Sequence, residues 1–329
     1  MVNHMHARAA QDLHVPVLLE RCLDLLAPAV DHPGAVLVDA TLGMGGHSEG
    51  ALRRFPDLRV VGIDRDPEAI ALAGERLAPF GSRFVAVNTT YDHIDEVAEA
   101  HGVDGLLDGV LMDLGVSSLQ LDDVERGFSY SKDAPLDMRM DPSRGTSAAQ
   151  FLATADEGEI VRVLRTYGEE RFAPRIARLI VAERGVAPLT RTTQLADLVR
   201  RAIPAAARRT GGNPSKRTFQ ALRVAVNDEL HILETTLPRA LTHLRVGGRL
   251  VVESYQSLED RIVKALMREG SEDHTPPGLP VRAGESDAPL RALTRGAGRA
   301  DDSELAHNPR SASVRLRAVE VVHPWRNRP

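Results

Sequence analysis

The sequence predicts an α/β protein, with a mostly parallel sheet, an antiparallel strand at its edge and an inserted all-helical domain. Three observations carry this prediction. Short apolar, β-rich runs at 35–38, 59–63, 83–87 and 109–112 alternate with helical patterns. That alternation demands parallel strands joined by right-handed crossovers. From about 122 to 217 strand-like runs disappear, and segments at 148–152, 157–166, 174–184 and 193–203 carry helical spacing instead. Strand-like runs then return at 249–253 and 313–322.

The first element is the most specific. Val36-Leu-Val-Asp39 reads as a buried strand, and Thr41-Leu-Gly-Met-Gly-Gly-His47 as a glycine-rich turn opening a helix. A second strand closes on Asp64. This is half of a mononucleotide-binding βαβ unit, in which glycine lets backbone approach a ligand that a Cβ would exclude. A carboxylate ending the second strand is placed to accept hydrogen bonds from a ribose diol. The dinucleotide fingerprint needs a third glycine where this chain has Ser48, and an acid, Asp39, closes the first strand. The pattern therefore suits a cationic ligand without pyrophosphate, such as S-adenosylmethionine. It favours the Rossmann-like class I S-adenosylmethionine-dependent methyltransferase sheet over a dehydrogenase.

The remaining elements follow in order. Asp66-Pro67 is a helix start signal for 67–77, and 93–100 bridges the third and fourth strands. In the helical block, Thr192 or Thr193 is the expected cap of the 193–203 helix. A long helix at 219–244 leads into the fifth strand. The segment 270–309, rich in Gly, Pro, Ser and charge, predicts a mobile loop. Run 313–322 alternates Val314, Leu316 and Ala318 with Arg315 and Arg317, as expected of an antiparallel strand at the sheet edge. The domains are thus 1–121 with 218–329, and an inserted domain at 122–217. Insertion after the fourth strand is expected to place the helices over the C-terminal edge of the sheet, where ligands bind in doubly wound folds.

Composition narrows the class. The 329-residue chain is 43% apolar and holds a single cysteine, Cys22, so it has neither an internal disulfide nor a cysteine zinc cluster. No apolar run approaches the ~20 residues that span a bilayer, and the first residues lack a signal core. The expected location is the cytoplasm, with no membrane partner. The twelve histidines show no metal-site spacing, so no metal is expected. Net charge is −5, yet 162–217 holds thirteen Lys or Arg against four Asp or Glu. A basic segment in an acidic protein is a candidate phosphate-binding surface, or simply a set of arginine-solvated helix faces. Aromatic residues are only 4%, so base stacking is not a prominent theme.

Two stretches carry chemistry. Val110-Leu-Met-Asp-Leu-Gly-Val116 ends the fourth strand, where class I methyltransferases face both donor and acceptor. Many exocyclic-amine methylases have an Asp/Asn/Ser-Pro-Pro-aromatic string there, from which Asp113-Leu-Gly-Val departs. An acid at this point orients an amine and takes up its developing charge, or else caps the following turn. The loop 126–141 is dense in turn formers and alternating charge, and its Asp137 and Arg139 suit either function or a structural ion pair.

Across these segments the chain resembles the bacterial MraW/RsmH-type methyltransferases. The resemblance runs through His14-Val-Pro-Val-Leu-Leu-Glu20, 39–47, Asp64-Arg-Asp-Pro67, 114–123, Gly127-Phe-Ser129 and Leu136-Asp-Met-Arg-Met-Asp141. It continues in 216–223, Val226-Asn-Asp-Glu-Leu230, Ser257-Leu-Glu-Asp-Arg261 and Asn308-Pro-Arg310, covering nearly the whole chain. The resemblance implies methylation of the N4 amine of a cytidine in 16S ribosomal RNA, at the decoding centre of the small ribosomal subunit, with S-adenosyl-L-methionine as donor. Carried over, Gly45, Gly46 and His47 form the donor turn, Asp64 holds the ribose and Tyr91 lies against the adenine. Asp113 and Gln120 stand near the methionine end, with Asp113 also orienting the amine. Arg208, Arg209, Lys216, Arg217 and Arg310 are the expected RNA contacts.

Two departures matter. Gln256 stands where the family usually has His, so no base role is assigned there. The family string Asn-Pro-Arg-x-Arg-Ser-Ala is altered at 308–314, losing one arginine. Competing expectations are a small-molecule or protein methyltransferase, and an RNA-binding assembly factor without activity. Monomer and homodimer both remain open.

Overall fold

In the computed structural model, residues 16–208, 213–273 and 287–325 are described, except for the Arg208 side chain. The chain forms two compact units, Met1–Gly115 with His231–Pro329, and Val116–Leu230.

The first unit is built on one seven-stranded sheet. Helix α1 (Leu19–Val30) precedes β1 (Val36–Asp39), α2 (Gly46–Arg54), β2 (Arg59–Asp64), α3 (Pro67–Leu77) and β3 (Phe84–Asn88). Helix α4 (Ile94–His101) leads into β4 (Leu107–Asp113). The strand order is β3-β2-β1-β4-β5-β7-β6, where β5 is Leu244–Ser254, β6 is Leu290–Ala292 and β7 is Arg315–Val321. Strands β1 to β5 pair in parallel, and β7 runs antiparallel between β5 and β6. This is the mostly parallel sheet with an antiparallel edge that the sequence predicts. All four residues of β1 are buried, because central parallel strands are covered on both faces.

Start signals were reliable where a side chain reaches its own backbone. Asp66 caps α3, accepting from the Glu68 amide at 3.1 Å ahead of Pro67. Two expectations at the C-terminal end are corrected. The strand expected at the edge, β7, lies one place inside, because three-residue β6 pairs with its outer side. The stretch expected as a loop at 270–309 contains β6 and the helix Asp302–His307, while its residues 274–286 lie outside the described part.

The second unit is helical, with α5 (Ser118–Asp122), α6 (Ala148–Thr154), α7 (Glu157–Gly168), α8 (Ala173–Arg184), α9 (Thr192–Ala202), α10 (Ala205–Arg208) and α11 (Lys216–Asn227). Its own core gathers Leu152, Ile160, Leu164, Ile176, Ile180, Leu195, Leu198 and Leu222. The long helix expected at 219–244 is two helices. Asp228 adopts φ 52° between α11 and α12 (Glu229–Thr242), ending the first with a left-handed cap. Neither Thr192 nor Thr193 caps α9. Thr192 Oγ1 donates to the Lys132 carbonyl and Thr193 to Asp133, while the Gln194 carboxamide accepts from the Arg191 amide at 2.9 Å.

The charged loop before α6 is held from within. Arg139 makes two side-chain hydrogen bonds to Asp137, at 2.8 and 2.7 Å, so this pair is the structural ion pair. Asn227 Oδ1 accepts from the Met140 amide at 2.8 Å, and Nδ2 donates to the Met138 carbonyl at 2.8 Å. Two of the strings behind the family resemblance therefore meet as a buried hydrogen-bonded tie.

Candidate active site

The C-terminal ends of β1, β2, β4 and β5 bring four acids to one end of the sheet. Strand register sets Asp113 directly beside Glu253, and β1 between β2 and β4 carries Asp39. The glycine turn is stitched to its neighbours. The Leu42 amide donates to the Ile63 carbonyl at 2.9 Å, and the Gly43 amide donates to Asp64 Oδ2 at 2.8 Å. Thr41 Oγ1 accepts from the Asp113 amide at 2.6 Å. The turn is thus tied to both flanking strands.

Gly45 and Gly46 have reasons for being glycine within the chain itself. Gly45 sits at φ 77°, and a Cβ there would stand 2.9 Å from Leu77 Cδ1. A Cβ on Gly46 would lie 2.5 Å from Pro16 Cγ. The turn is closed by packing from behind.

Asp64 is half-buried, and its Oδ1 accepts from the Asp66 amide at 2.9 Å. Burial outweighs both amide donors and pushes its carboxyl up to about 6. Asp39 is buried, accepting from Ser48 Oγ at 2.7 Å and from the Thr41 amide at 3.3 Å. Its carboxyl is raised by burial, although His47 and Ser48 oppose the shift. Ser48, read in the sequence as a missing glycine, is thus the hydroxyl that holds Asp39.

His47 turns its ring inward. Nε2 lies 3.0 Å from the Val17 carbonyl and 3.4 Å from Glu253 Oε2, while Nδ1 is 3.9 Å from Asp113 Oδ2. Glu253 is wholly buried, and burial followed by the Asp113 charge pushes its carboxyl well above the usual range. Two adjacent carboxyls cannot both ionise cheaply, and Glu253 is the one driven toward its neutral acid form. Cys22 completes this buried cluster, its thiol raised by burial and then by Glu253. Tyr255 hydrogen-bonds to Asp113, and its phenol is raised by burial and then by the Asp113 charge.

Sequence reasoning missed Cys22, Glu253 and Tyr255 as parts of the site. Only the register of β4 against β5 and the packing of α1 bring them together, and no local spacing signals that.

Tyr91 opens the short turn Tyr91–His93 after β3 and packs half-buried against the main core of its unit. Gln120 belongs to the second unit, where it is buried and its Oε1 accepts from the Ser117 amide at 3.1 Å. Gln256 donates from Nε2 to Glu259 Oε1 at 2.8 Å at the start of the helix Ser257–Ser271.

The expected RNA contacts divide between the units. Lys216 and Arg217 are exposed at the start of α11, where Arg217 donates to the Glu169 carbonyl at 3.2 Å. Arg310 is exposed in the first unit. Arg208 ends α10, and Arg209 lies outside the described residues.

Residues 11–322 match the model of the MraW methylase family. The chain belongs to the MraW methylase family. Within it, the chain is 61% identical over 320 residues to the ribosomal RNA small subunit methyltransferase H of Beutenbergia cavernae, covering 97% of this chain and 96% of that one. It is 58% identical to the protein of the same name from Kocuria rhizophila, covering 96% of each. Among solved structures it resembles an rRNA methylase from Streptococcus thermophilus at a TM-score of 0.43 and 12% identity, covering 94% of this chain and 99% of that one.

The site suits the methyl donor of a methylase. A sulfonium is a cation. Asp39, Asp64 and Glu253 are each raised partly by a neighbouring acid, a repulsion that a bound cation relieves.

Proposed function

We propose that this MraW methylase transfers a methyl group from S-adenosylmethionine to the N4 amine of a cytidine in 16S ribosomal RNA, at the decoding centre of the small subunit, in the cytoplasm. The observation that carries the reading is Asp113, an acid held at the end of β4 by Thr41 and flanked by Tyr255 and His47. The names of relatives about 60% identical over nearly the whole chain supply the RNA and the subunit.

Residues at the sheet ends divide the work. Asp64 accepts from the ribose hydroxyls, Tyr91 offers a flat apolar face to the adenine, and the turn through Gly45, Gly46 and His47 supplies backbone donors. When bound, the donor supplies an electrophilic methyl on a sulfonium. A nucleobase amine is a poor nucleophile because its lone pair is delocalised into the ring. Asp113 accepts one amine hydrogen, which orients the nitrogen and meets the positive charge that grows on it. The alkylated nitrogen then gives its extra proton to water.

A base inside folded RNA must be splayed out to reach such a site. The basic segment of the second unit, with Arg208, Arg209, Lys216 and Arg217, holds the RNA, and Arg310 adds a contact from the first unit.

The test is mass mapping of methylated nucleosides in ribosomal RNA from cells with and without the protein. Loss of N4-methylation at one cytidine of 16S RNA is expected on deletion. Unchanged ribosomal RNA would overturn the reading and turn attention to a small-molecule or protein substrate.

A further inference from the structure

The arginines of the second unit fall into two groups. Most are committed inside the unit: Arg139 to Asp137, Arg191 to Asp133, Arg201 to Glu183 and Arg223 to Glu229, while Arg184 donates to the carbonyls of Leu152 and Ala155 at 2.6 Å each. Arg165 on α7 and Arg171, Arg175 and Arg178 around the start of α8 are different. All four are exposed, and none has a side-chain hydrogen bond or ion pair among the described residues; the last three fall within one short stretch.

Their placement is regular. Arg175 and Arg178 are three residues apart on α8, so their side chains leave the same face about 5–6 Å apart at Cβ. Arg171 lies four residues before Arg175, in the tight turn that the Ala173 amide closes on the Glu170 carbonyl at 3.4 Å. Nearby acids do not neutralise the row. Glu170 is buried and its Oε1 accepts from the Phe172 amide at 2.8 Å, and Glu183 is paired with Arg201. Exposed Glu169 stands before the row, and its carbonyl holds Arg217, which brings a fourth cation to that end.

Holding three like charges within eight residues without counterions costs repulsion energy, and a row of anions removes it. A nucleic acid backbone is such a row, and an arginine fork matches phosphate geometry.

We propose that Arg171, Arg175 and Arg178 form a phosphate-binding row that grips the backbone of the RNA substrate. The inference rests on the ribosomal RNA reading above and adds contacts that the charge count of the sequence does not single out. Arginines already paired within the unit contribute little, since binding RNA through them first breaks an ion pair.

The experiment measures binding to purified small ribosomal subunits over a range of potassium chloride concentrations, together with methyl transfer and donor affinity. In the Arg171→Ala/Arg175→Ala/Arg178→Ala variant, the slope of log K against log salt is expected to fall by about 2 to 3 units, since each neutralised phosphate contributes roughly 0.7–0.9. KM for the subunit rises, while donor affinity and kcat stay near wild type. The triple lysine variant, which keeps the charges, recovers most of the slope, whereas Arg201→Ala leaves the slope at its wild-type value. A wild-type slope and KM in the triple alanine variant would overturn the row and leave the substrate reading standing. Absence of methyl transfer to the subunit by the wild-type protein overturns the substrate reading itself.

Discussion

Asp64 accepts two backbone amides, an arrangement that by itself lowers a carboxyl pKa, yet burial carries it from 3.8 up to about 6. The folded state therefore binds this proton more tightly than the unfolded chain does. Its contribution to stability is complete below about 4 and is lost as pH rises through 6. Ligand binding has the opposite demand, because the ionised carboxylate is the stronger acceptor for two hydroxyls. Affinity for S-adenosylmethionine is expected to fall as pH drops below 6, by up to about tenfold per pH unit. Asp64→Asn removes that step and weakens binding at pH 8. Calorimetric titration between pH 5 and 8 checks this, and an affinity in the wild type that is flat over the range would refute the ribose role. The acids at the strand ends were legible from their place in the pattern. Their charge state was not, since the largest cause of the shift in Asp39 and Asp64 is burial, which exists only once the sheet and the chain packed over it are formed.

At the scale of elements, the Asn227 tie joins the last residue of α11 to the charged loop more than eighty residues earlier. Removing its carboxamide leaves the buried Met140 amide and the Met138 carbonyl without their partner. Each such group costs about 1–3 kcal/mol, so Asn227→Ala should destabilise the helical unit by about 2–6 kcal/mol. Urea unfolding followed by far-ultraviolet circular dichroism measures it, and a loss below about 0.5 kcal/mol would show that water satisfies both groups. The same region shows what a sequence does and does not disclose. Helix starts at Asp66 and Asp156 are written in residues whose side chains reach backbone amides two or three places on. The stop at Asp228 is not, because helical spacing continues through it, and the left-handed turn is favoured by ties such as Arg223 to Glu229 across the break. Strand β6 is three residues long, too short for alternation to register, and it exists because β7 offers it an edge.

At the scale of the molecule, the two units differ in how the chain builds them. Val116–Leu230 is one continuous segment with its own apolar core and locally closed capping boxes at Ser117 and Ser147. A segment of this size with a complete core is within the range of domains that fold alone. The first unit is assembled from two separated segments, and β5, from the second, supplies the central partner of β4. Without it β4 becomes an unpaired edge, and Val252 and Val319 are missing from the core that packs on Val110 and Met112. A fragment spanning 116–230 is therefore expected to show a helical spectrum and one cooperative thermal transition, whereas 1–115 alone should melt without cooperativity or aggregate. Calorimetry of the two fragments decides it. A helical fragment that melts over a broad range with no heat-absorption peak would mean that its core needs the sheet-bearing unit to order, and a cooperative 1–115 would mean that β1 to β4 form a complete folding unit without β5.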